Sequence, residues 1–335
     1  MKNIKLITLT FVVALLGASC AAPTAKKEGA QVYNAVLDGY EYPHDVHLFE
    51  FDSQKQKLKM AYMYLTNEGA KKTVVLLHGK NFSGFYWEKT AQLLLKEGYN
   101  VLIPDQIGFG KSSKPENYQY SFSQLALNTK NLMDSLKIEN ATIIGHSMGG
   151  MLATKFNKIY PTYVKKLILV NPIGLEDYLR YTEYKDVEFF YKNELKKSAE
   201  GIRKYQMANY YDGKWSDEYE ELIKFQVGQT LHKDWPVVAW NNALTYDLIF
   251  SEPVVDDFKF IKNPTVLILG TRDRTGPGKG FMKKGESYKL GQYQNLGKRV
   301  VKNFKNAKLI ELDGLGHMPQ FEDFDRYQKA LLKSL

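Results

Sequence analysis

Six residues, Gly145-His146-Ser147-Met148-Gly149-Gly150, set a hydroxyl among small residues where two elements meet. They follow the apolar run Ala141-Thr142-Ile143-Ile144 and precede apolar residues at helical spacing. A sharp turn from strand to helix would hold Ser147 out above a sheet edge, with Gly145 and Gly149 leaving room for neighbouring chain. The helix N-terminus beneath it adds a field that favours negative charge. Such a serine can attack a carbonyl. Its hydroxyl is a weak nucleophile at neutral pH, so it needs a general base that is itself oriented by a carboxylate.

The chain has six histidines. His44 and His47 precede the sheet, His78 precedes a loop, His146 adjoins the serine with its side chain expected to point elsewhere, and His232 lies in a helical stretch. His317 is the candidate base. It sits in Asp313-Gly314-Leu315-Gly316-His317-Met318-Pro319, a glycine-flanked loop after the last expected strand. For the carboxylate, Gly270-Thr271-Arg272-Asp273 follows the strand Thr265–Leu269, so Asp273 opens at the same sheet edge. Glu176 and Asp177, just after the strand ending at Val170, are the alternative acids. An oxyanion needs backbone donors, expected from Met148 N–H and from the loop His78-Gly79-Lys80-Asn81-Phe82. Lys80 N–H is the first choice there, with Asn81 and Phe82 as alternatives.

These groups must be held by a sheet. Thr73–Leu77, Val101–Ile103, Ala141–Ile144 and Leu167–Val170 are continuous apolar runs, as expected of strands buried on both faces of a parallel sheet, and the strand pattern returns at Thr265–Leu269 and Lys308–Leu312. Val46–Phe51 and Leu58–Leu65 alternate and pair as an opening hairpin. Helical spacing over Trp87–Glu97, Ser121–Leu136 and Met148–Tyr160 separates the runs, which gives a doubly wound, mostly parallel α/β sheet. The strand pattern stops from 175 to 252. That stretch is rich in Tyr, Trp, Lys and Glu and reads as an inserted helical cap, dividing an α/β core into residues 34–174 and 253–335. Tyr178, Tyr181, Tyr184, Phe189, Phe190, Tyr191, Trp235 and Trp240 supply it with aromatic area, and Trp235 and Trp240 are expected to set acyl-length preference. The glycine- and lysine-rich segment Gly276–Lys298 is expected at the pocket entrance. Gly276–Gly280 lacks phosphate-loop spacing, and His44-Asp45-Val46-His47 has no further ligand nearby, so neither is read as a site.

Residues 1–19 begin with Lys2 and Lys5, continue through apolar Leu6–Leu16 and end in small residues before Cys20, the only cysteine. This is a secretory signal, and the apolar part is too short to span a bilayer. Small residues directly before a lone cysteine resemble a bacterial lipobox, with Gly17 where leucine is usual. The expectation is lipidation at Cys20, a tether over 20–33, and a cell-envelope location with the membrane as partner; cleavage near Ala21-Ala22 would instead release the chain. The net charge of +9 falls to +7 once Lys2 and Lys5 leave, a modest excess without a nucleic-acid-binding module.

Together, His78-Gly79, Asp105–Ser112, Gly145–Gly150, Gly270–Asp273 and Gly316-His317 resemble the α/β-hydrolase superfamily, in its order of serine, aspartate and histidine. The resemblance covers almost all of the chain after the signal. It implies a capped serine hydrolase with no cofactor or metal, and it makes Asp105–Ser112 a structural loop near the site. Haloalkane dehalogenases and epoxide hydrolases of the family carry Asp where this chain has Ser147, which disfavours both activities. The expected substrate is a small-molecule carboxylic ester or lactone. A C–C bond hydrolase, thioesterase or peptidase on the same triad is the alternative, and a non-catalytic, membrane-tethered binding protein is the rival from another class.

Overall fold

A computed structural model describes residues 31–335. The expected signal segment, Cys20 and most of the expected tether lie outside the described residues. Among those described, eight strands form one sheet: β1 (His47–Ser53), β2 (Gln56–Leu65), β3 (Thr73–Leu77), β4 (Asn100–Pro104), β5 (Ala141–His146), β6 (Val164–Val170), β7 (Thr265–Gly270) and β8 (Ala307–Leu312). Their order is β1-β2-β4-β3-β5-β6-β7-β8. β1 and β2 form the opening hairpin, pairing His47 with Tyr62 and Ser53 with Gln56, and β2 runs antiparallel to β4. Every later pair is parallel.

The unbroken apolar runs are explained by helices on both faces. Three of these helices, α1 (Glu88–Lys96), α2 (Phe122–Ser135) and α3 (Met148–Ile159), lie between strands of the first half. Ser121 caps α2 by accepting from Gln124 N–H at 2.9 Å. Because side chains alternate along a strand, Val75, Leu77, Ile143, Leu167, Leu169, Leu267 and Leu269 enter one core with Phe122, Leu125 and Phe156. Val74, Leu76, Ile144, Ile168, Val170, Val266 and Ile268 enter the other with Ala91 and Leu94. Each fully buried side chain of this kind stabilises the fold by about 1.5–3 kcal/mol.

The insertion between β6 and β7 contains α4 (Val187–Leu195), α5 (Ala199–Asn209), α6 (Asp217–Thr230) and α7 (Trp235–Ser251). Asp186, Ser198 and Ser216 cap the first three of these. After β7 come α8 (Tyr293–Val300), α9 (Pro319–Glu322) and α10 (Phe324–Leu332). The N-terminal segment is an arm on this insertion. Tyr33 N–H donates to the Gly228 carbonyl at 3.2 Å, and the Gln229 amide donates to the Asn34 and Ala35 carbonyls. Tyr33, assigned to the tether from sequence, is buried with Leu37 against Phe225. Among the described residues no helix is long and apolar enough to cross a membrane.

Parallel strands in close register bring the ends of β3, β5, β6, β7 and β8 to one edge: Leu77 pairs with Gly145, His146 with Val170, and Gly270 with Leu312. The segments carrying Lys80, Ser147, Asp273 and His317 all leave the sheet there.

Candidate active site

Ser147 occupies the turn between β5 and α3 with φ 55° and ψ −121°. A left-handed serine costs on the order of 1–3 kcal/mol, and the surroundings must enforce it. Ser147 N–H donates to the Val170 carbonyl at 3.3 Å, while its own carbonyl accepts from Gly150 and Ile173. A Cβ at Gly149 would collide with the Leu77 carbonyl, so only glycine lets α3 start this close to β3. The Ser147 hydroxyl thereby reaches His317 Nε2, 3.0 Å away.

His317 Nδ1 lies 2.7 Å from Asp273 Oδ2. That oxygen also accepts from Asn171 Nδ2–H at 2.8 Å, and Oδ1 accepts from Thr275 N–H at 2.7 Å. Asp273 is completely buried. Burial alone would push its carboxyl up, but the adjacent His317 and the three donors hold it below the ordinary carboxylate value. With Nδ1–H donating to the carboxylate, Nε2 is free to accept from Ser147. Asn171 supports the acid from the strand next door: its Oδ1 accepts from Gly270 N–H at 3.0 Å, fixing the start of the Asp273 loop. On the base side, Glu322 Oε1 accepts from Gly316 N–H at 2.7 Å and Oε2 accepts from Arg272, joining the His317 loop to the Asp273 loop.

The alternative acids are elsewhere. Glu176 Oε2 accepts from Gly291 N–H at 3.0 Å, and Asp177 pairs with Arg180 at 3.1 Å. Neither carboxylate bonds His317. Of the remaining histidines, His44 pairs with Glu88, and His78 Nδ1–H donates to the Gly79 carbonyl while Nε2 accepts from Gln106 N–H. The Asp105 carboxylate likewise serves structure, accepting from Gly84 N–H, Lys111 N–H and the Tyr42 hydroxyl.

For an oxyanion, Met148 N–H stands at the first turn of α3, directly after Ser147. The β3 loop passes against the serine: a Cβ at Gly79 would lie 3.1 Å from Ser147 Cβ. Phe82 N–H is engaged with the Gly79 carbonyl at 3.3 Å, whereas among the described residues Lys80 N–H and Asn81 N–H have no hydrogen-bond acceptor. Lys80 thus keeps an available backbone donor, as Asn81 does, in the loop that passes the serine. Its side chain turns away under the insertion, with Nζ 3.2 Å from Asn81 Oδ1 and 5.2 Å from the centre of the Tyr246 ring. Burial holds that ammonium down to about 7, against a partial pull upward from Glu194.

A cavity of about 520 Å³ lies between the insertion, the β3 loop and the segment after β7, and neither Ser147 nor His317 lines it. Phe82, Phe189, Phe190, Tyr205, Tyr246 and Phe281 form its aromatic wall. Two of its lining residues adjoin the candidate triad: Asn81 lies in the loop that passes the serine, and the Tyr210 ring lies 4.7 Å from that of His317. Phe281 comes from the glycine-rich segment after Asp273, as expected of an entrance element. Trp235 and Trp240 do not line this cavity. Trp235 is buried against Val238 and Ala239, and Trp240 donates to the Glu116 carbonyl across a separate groove. The expectation that they set acyl-length preference therefore finds no support in the lining of this cavity, because aromatic content does not say which helix face looks inward. The sequence reading also missed Asn171, Thr275, Tyr86 and Glu322. Only Asn171 carried a signal, a polar residue at the end of a buried strand.

The parallel sheet, the strained serine turn and the order of the loops define an α/β hydrolase, and the α/β-hydrolase fold family matches residues 72–324. The chain belongs to that family. It is 45% identical to a "probable hydrolytic enzyme" from Pseudomonas aeruginosa PAO1 in a crystal structure, with a TM-score of 0.89 over 91% of this chain and 99% of that one. It is also similar to a 2-hydroxy-6-oxononadienedioate/2-hydroxy-6-oxononatrienedioate hydrolase of Comamonas testosteroni, 25% identical over 82% of this chain and 91% of the relative. A shorter match, 33% identical over 32% of this chain and 35% of the relative, is to a cis-3-alkyl-4-alkyloxetan-2-one decarboxylase of Shewanella oneidensis.

Proposed function

We propose that the protein is a serine hydrolase that cleaves carboxylic esters or lactones through an acyl-enzyme. The observation that carries this reading is the buried line from Asp273 Oδ2 to His317 Nδ1, 2.7 Å, and from His317 Nε2 to Ser147 Oγ, 3.0 Å. His317 Nε2 takes the Ser147 proton as Oγ bonds to the substrate carbonyl carbon. The oxyanion is held by Met148 N–H and Lys80 N–H. Collapse of this adduct breaks the bond to the leaving alkoxide, which takes the proton from His317; in a lactone the alcohol stays attached to the acyl group. Water, deprotonated by the same imidazole, then attacks the acyl-enzyme and restores Ser147. The aromatic cavity favours apolar acyl or alcohol parts of small to medium size.

The test is purified protein assayed on esters of graded acyl length, lactones, aminoacyl amides and a ring-cleavage dienoate, beside Ser147→Ala. Ester or lactone turnover and fluorophosphonate labelling, both lost in Ser147→Ala, are expected; turnover persisting in a folded Ser147→Ala protein would overturn the reading. C–C bond hydrolysis is the second reading, favoured by the similarity to the Comamonas enzyme over most of both chains. Dienoate cleavage faster than ester cleavage would select it. Envelope anchoring through Cys20 is a separate proposal. It predicts incorporation of labelled fatty acid that Cys20→Ala abolishes, and soluble lipid-free wild type with an N-terminus beyond Cys20 would defeat it.

A further inference from the structure

His146 is fully buried one residue before Ser147, yet the reaction described above gives it no task. Its Nε2 lies 2.9 Å from the backbone carbonyl oxygen of His317, and its Nδ1 lies 3.0 Å from the Tyr86 hydroxyl. That hydroxyl is in turn 3.0 Å from Gly79 N. The positions of the protons follow from the groups. A carbonyl only accepts, so Nε2 carries the imidazole hydrogen and donates it. Nδ1 must then accept, so Tyr86 donates its hydroxyl hydrogen, and the phenol oxygen accepts from Gly79 N–H. Burial first, and the neighbouring His317 second, hold the imidazole down to about 3, so it stays neutral and this pattern persists at physiological pH.

The chain of hydrogen bonds touches three parts of the site. Gly79 directly precedes Lys80, and its α-carbon faces Ser147 Cβ closely enough that a methyl group there would be 3.1 Å away. His146 is bonded covalently to Ser147. The His317 carbonyl belongs to the residue whose ring must meet the serine. Packing alone does not account for this arrangement. A leucine would fill much of the space at 146 but would leave the His317 carbonyl without its donor and the Tyr86 hydroxyl hydrogen without an acceptor.

We infer that Tyr86 and His146 are positioning residues, a neutral hydrogen-bonded relay that sets the backbone of the base and of the oxyanion loop against the nucleophile. The inference rests on the serine-hydrolase reading. The relay moves no proton during turnover; it fixes distances, and a misplacement of about 1 Å at a reacting centre costs on the order of 100-fold.

The test uses the full chain with Tyr86→Phe, His146→Leu, His146→Gln and the double variant Tyr86→Phe/His146→Leu, assayed on 4-nitrophenyl butyrate. Tyr86→Phe and His146→Leu should lower kcat by roughly 10- to 100-fold, with KM within about threefold. His146→Gln, whose amide N–H can replace Nε2–H, should recover most of that loss. The double variant should be no worse than His146→Leu, because both substitutions break one relay. Wild-type kcat in folded Tyr86→Phe, a glutamine variant as impaired as the leucine variant, or additive losses would each overturn the proposal. If His146→Leu does not fold, Tyr86→Phe, which deletes a single oxygen, still decides it.

Nitrogen-15 NMR of labelled histidines separates this failure from failure of the functional reading. If the wild type neither turns over esters nor reacts with a fluorophosphonate, the hydrolase reading falls, and the relay is still judged by its spectra. His146 should be neutral with its proton on Nε2 from pH 5 to pH 9, and Tyr86→Phe should shift the His317 ring nitrogens. A His146 proton on Nδ1, or His317 signals unmoved by Tyr86→Phe, would refute the relay.

Discussion

Replacing Asp273 with asparagine removes one charge while preserving shape, and the surrounding donors let its effect be worked out. Three donors converge on the carboxylate: His317 Nδ1–H and Asn171 Nδ2–H on Oδ2, and Thr275 N–H on Oδ1. An asparagine offers them one acceptor oxygen. If that oxygen faces Thr275, the amide hydrogens confront both His317 and Asn171, and the imidazole can escape only by moving its proton to Nε2, where it cannot accept from Ser147. If the oxygen faces His317, only Thr275 N–H loses its partner, at about 1–3 kcal/mol. The second orientation strands fewer donors, so the variant should keep the useful tautomer and lose the charge together with the Thr275 hydrogen bond. Unit charges about 4 Å apart at an effective dielectric of 20 attract by about 4 kcal/mol, which bounds the lost stabilisation of the imidazolium at roughly 10³ in rate. We expect kcat for 4-nitrophenyl butyrate to fall by about 10²–10³ with KM little changed, a smaller loss than the ~10⁴ produced when a triad histidine adopts the wrong tautomer. Asp273→Ala, which strands all three donors, should be worse. A kcat for Asp273→Asn within tenfold of wild type would remove Asp273 from the triad. A loss equal to that of Asp273→Ala, with NMR showing the His317 proton on Nε2, would refute the orientation argument.

Three further outcomes follow from other parts of the molecule. Burial lowers Lys80 from its ordinary 10.5 to about 7, so between those values the unfolded chain binds the extra proton and stability rises with pH. Lys80→Met should therefore stabilise the fold by about 3 kcal/mol at pH 6 and by little at pH 10, allowing for the lost Asn81 and Tyr246 contacts; urea melts that show a lower midpoint at pH 6 would contradict this. Phe189→Ala or Tyr246→Ala, which enlarge the cavity, should shift the ratio of kcat/KM for octanoyl over acetyl esters by about tenfold, each buried methylene contributing about 0.8 kcal/mol. Trp240→Ala should leave that ratio within twofold, and equal shifts in all three would place the acyl site elsewhere. Asn171→Leu removes a donor to Asp273 and the acceptor of Gly270 N–H, and should lower kcat by roughly 10-fold with KM retained, since a buried hydrogen bond to a charged group contributes about 1.5–3 kcal/mol; an unchanged kcat would make Asn171 a bystander.

The strands were legible because a parallel strand buried on both faces must be apolar at every position. Ala141–Ile144 and Leu167–Val170 have no solvent side to announce with a polar residue, and they feed alternate side chains into the two cores. The serine turn was legible for a related reason: Gly149 is required by the Leu77 carbonyl, a close approach of the start of α3 to β3 that leaves its mark in a short motif. The supports of the site left none. Tyr86 reaches His146 across 60 positions, and Glu322 bonds Gly316 from a four-residue helix that no periodic pattern marks.

The cavity was illegible for a different reason, and this bears on where specificity resides. Its wall draws Phe82 from the β3 loop, Phe190 from α4, Tyr205 from α5, Tyr246 from α7 and Phe281 from the segment after β7. No local pattern encodes such a set, since each residue faces inward only because the helices cross as they do. Trp240 shows the converse, an aromatic of the same insertion whose indole N–H finds the Glu116 carbonyl and turns the ring to a separate groove. The candidate triad hangs from strand ends whose separations are fixed by backbone hydrogen bonds, whereas most of the wall hangs from helices joined by side-chain packing. Substitutions that repack α4 against α7 can therefore reshape the substrate space while the spacing of Ser147, His317 and Asp273 is retained. Under the proposed function the reaction type follows from the sheet edge and the choice of substrate from the insertion, so the motifs of the core carry the first and leave the second to be measured.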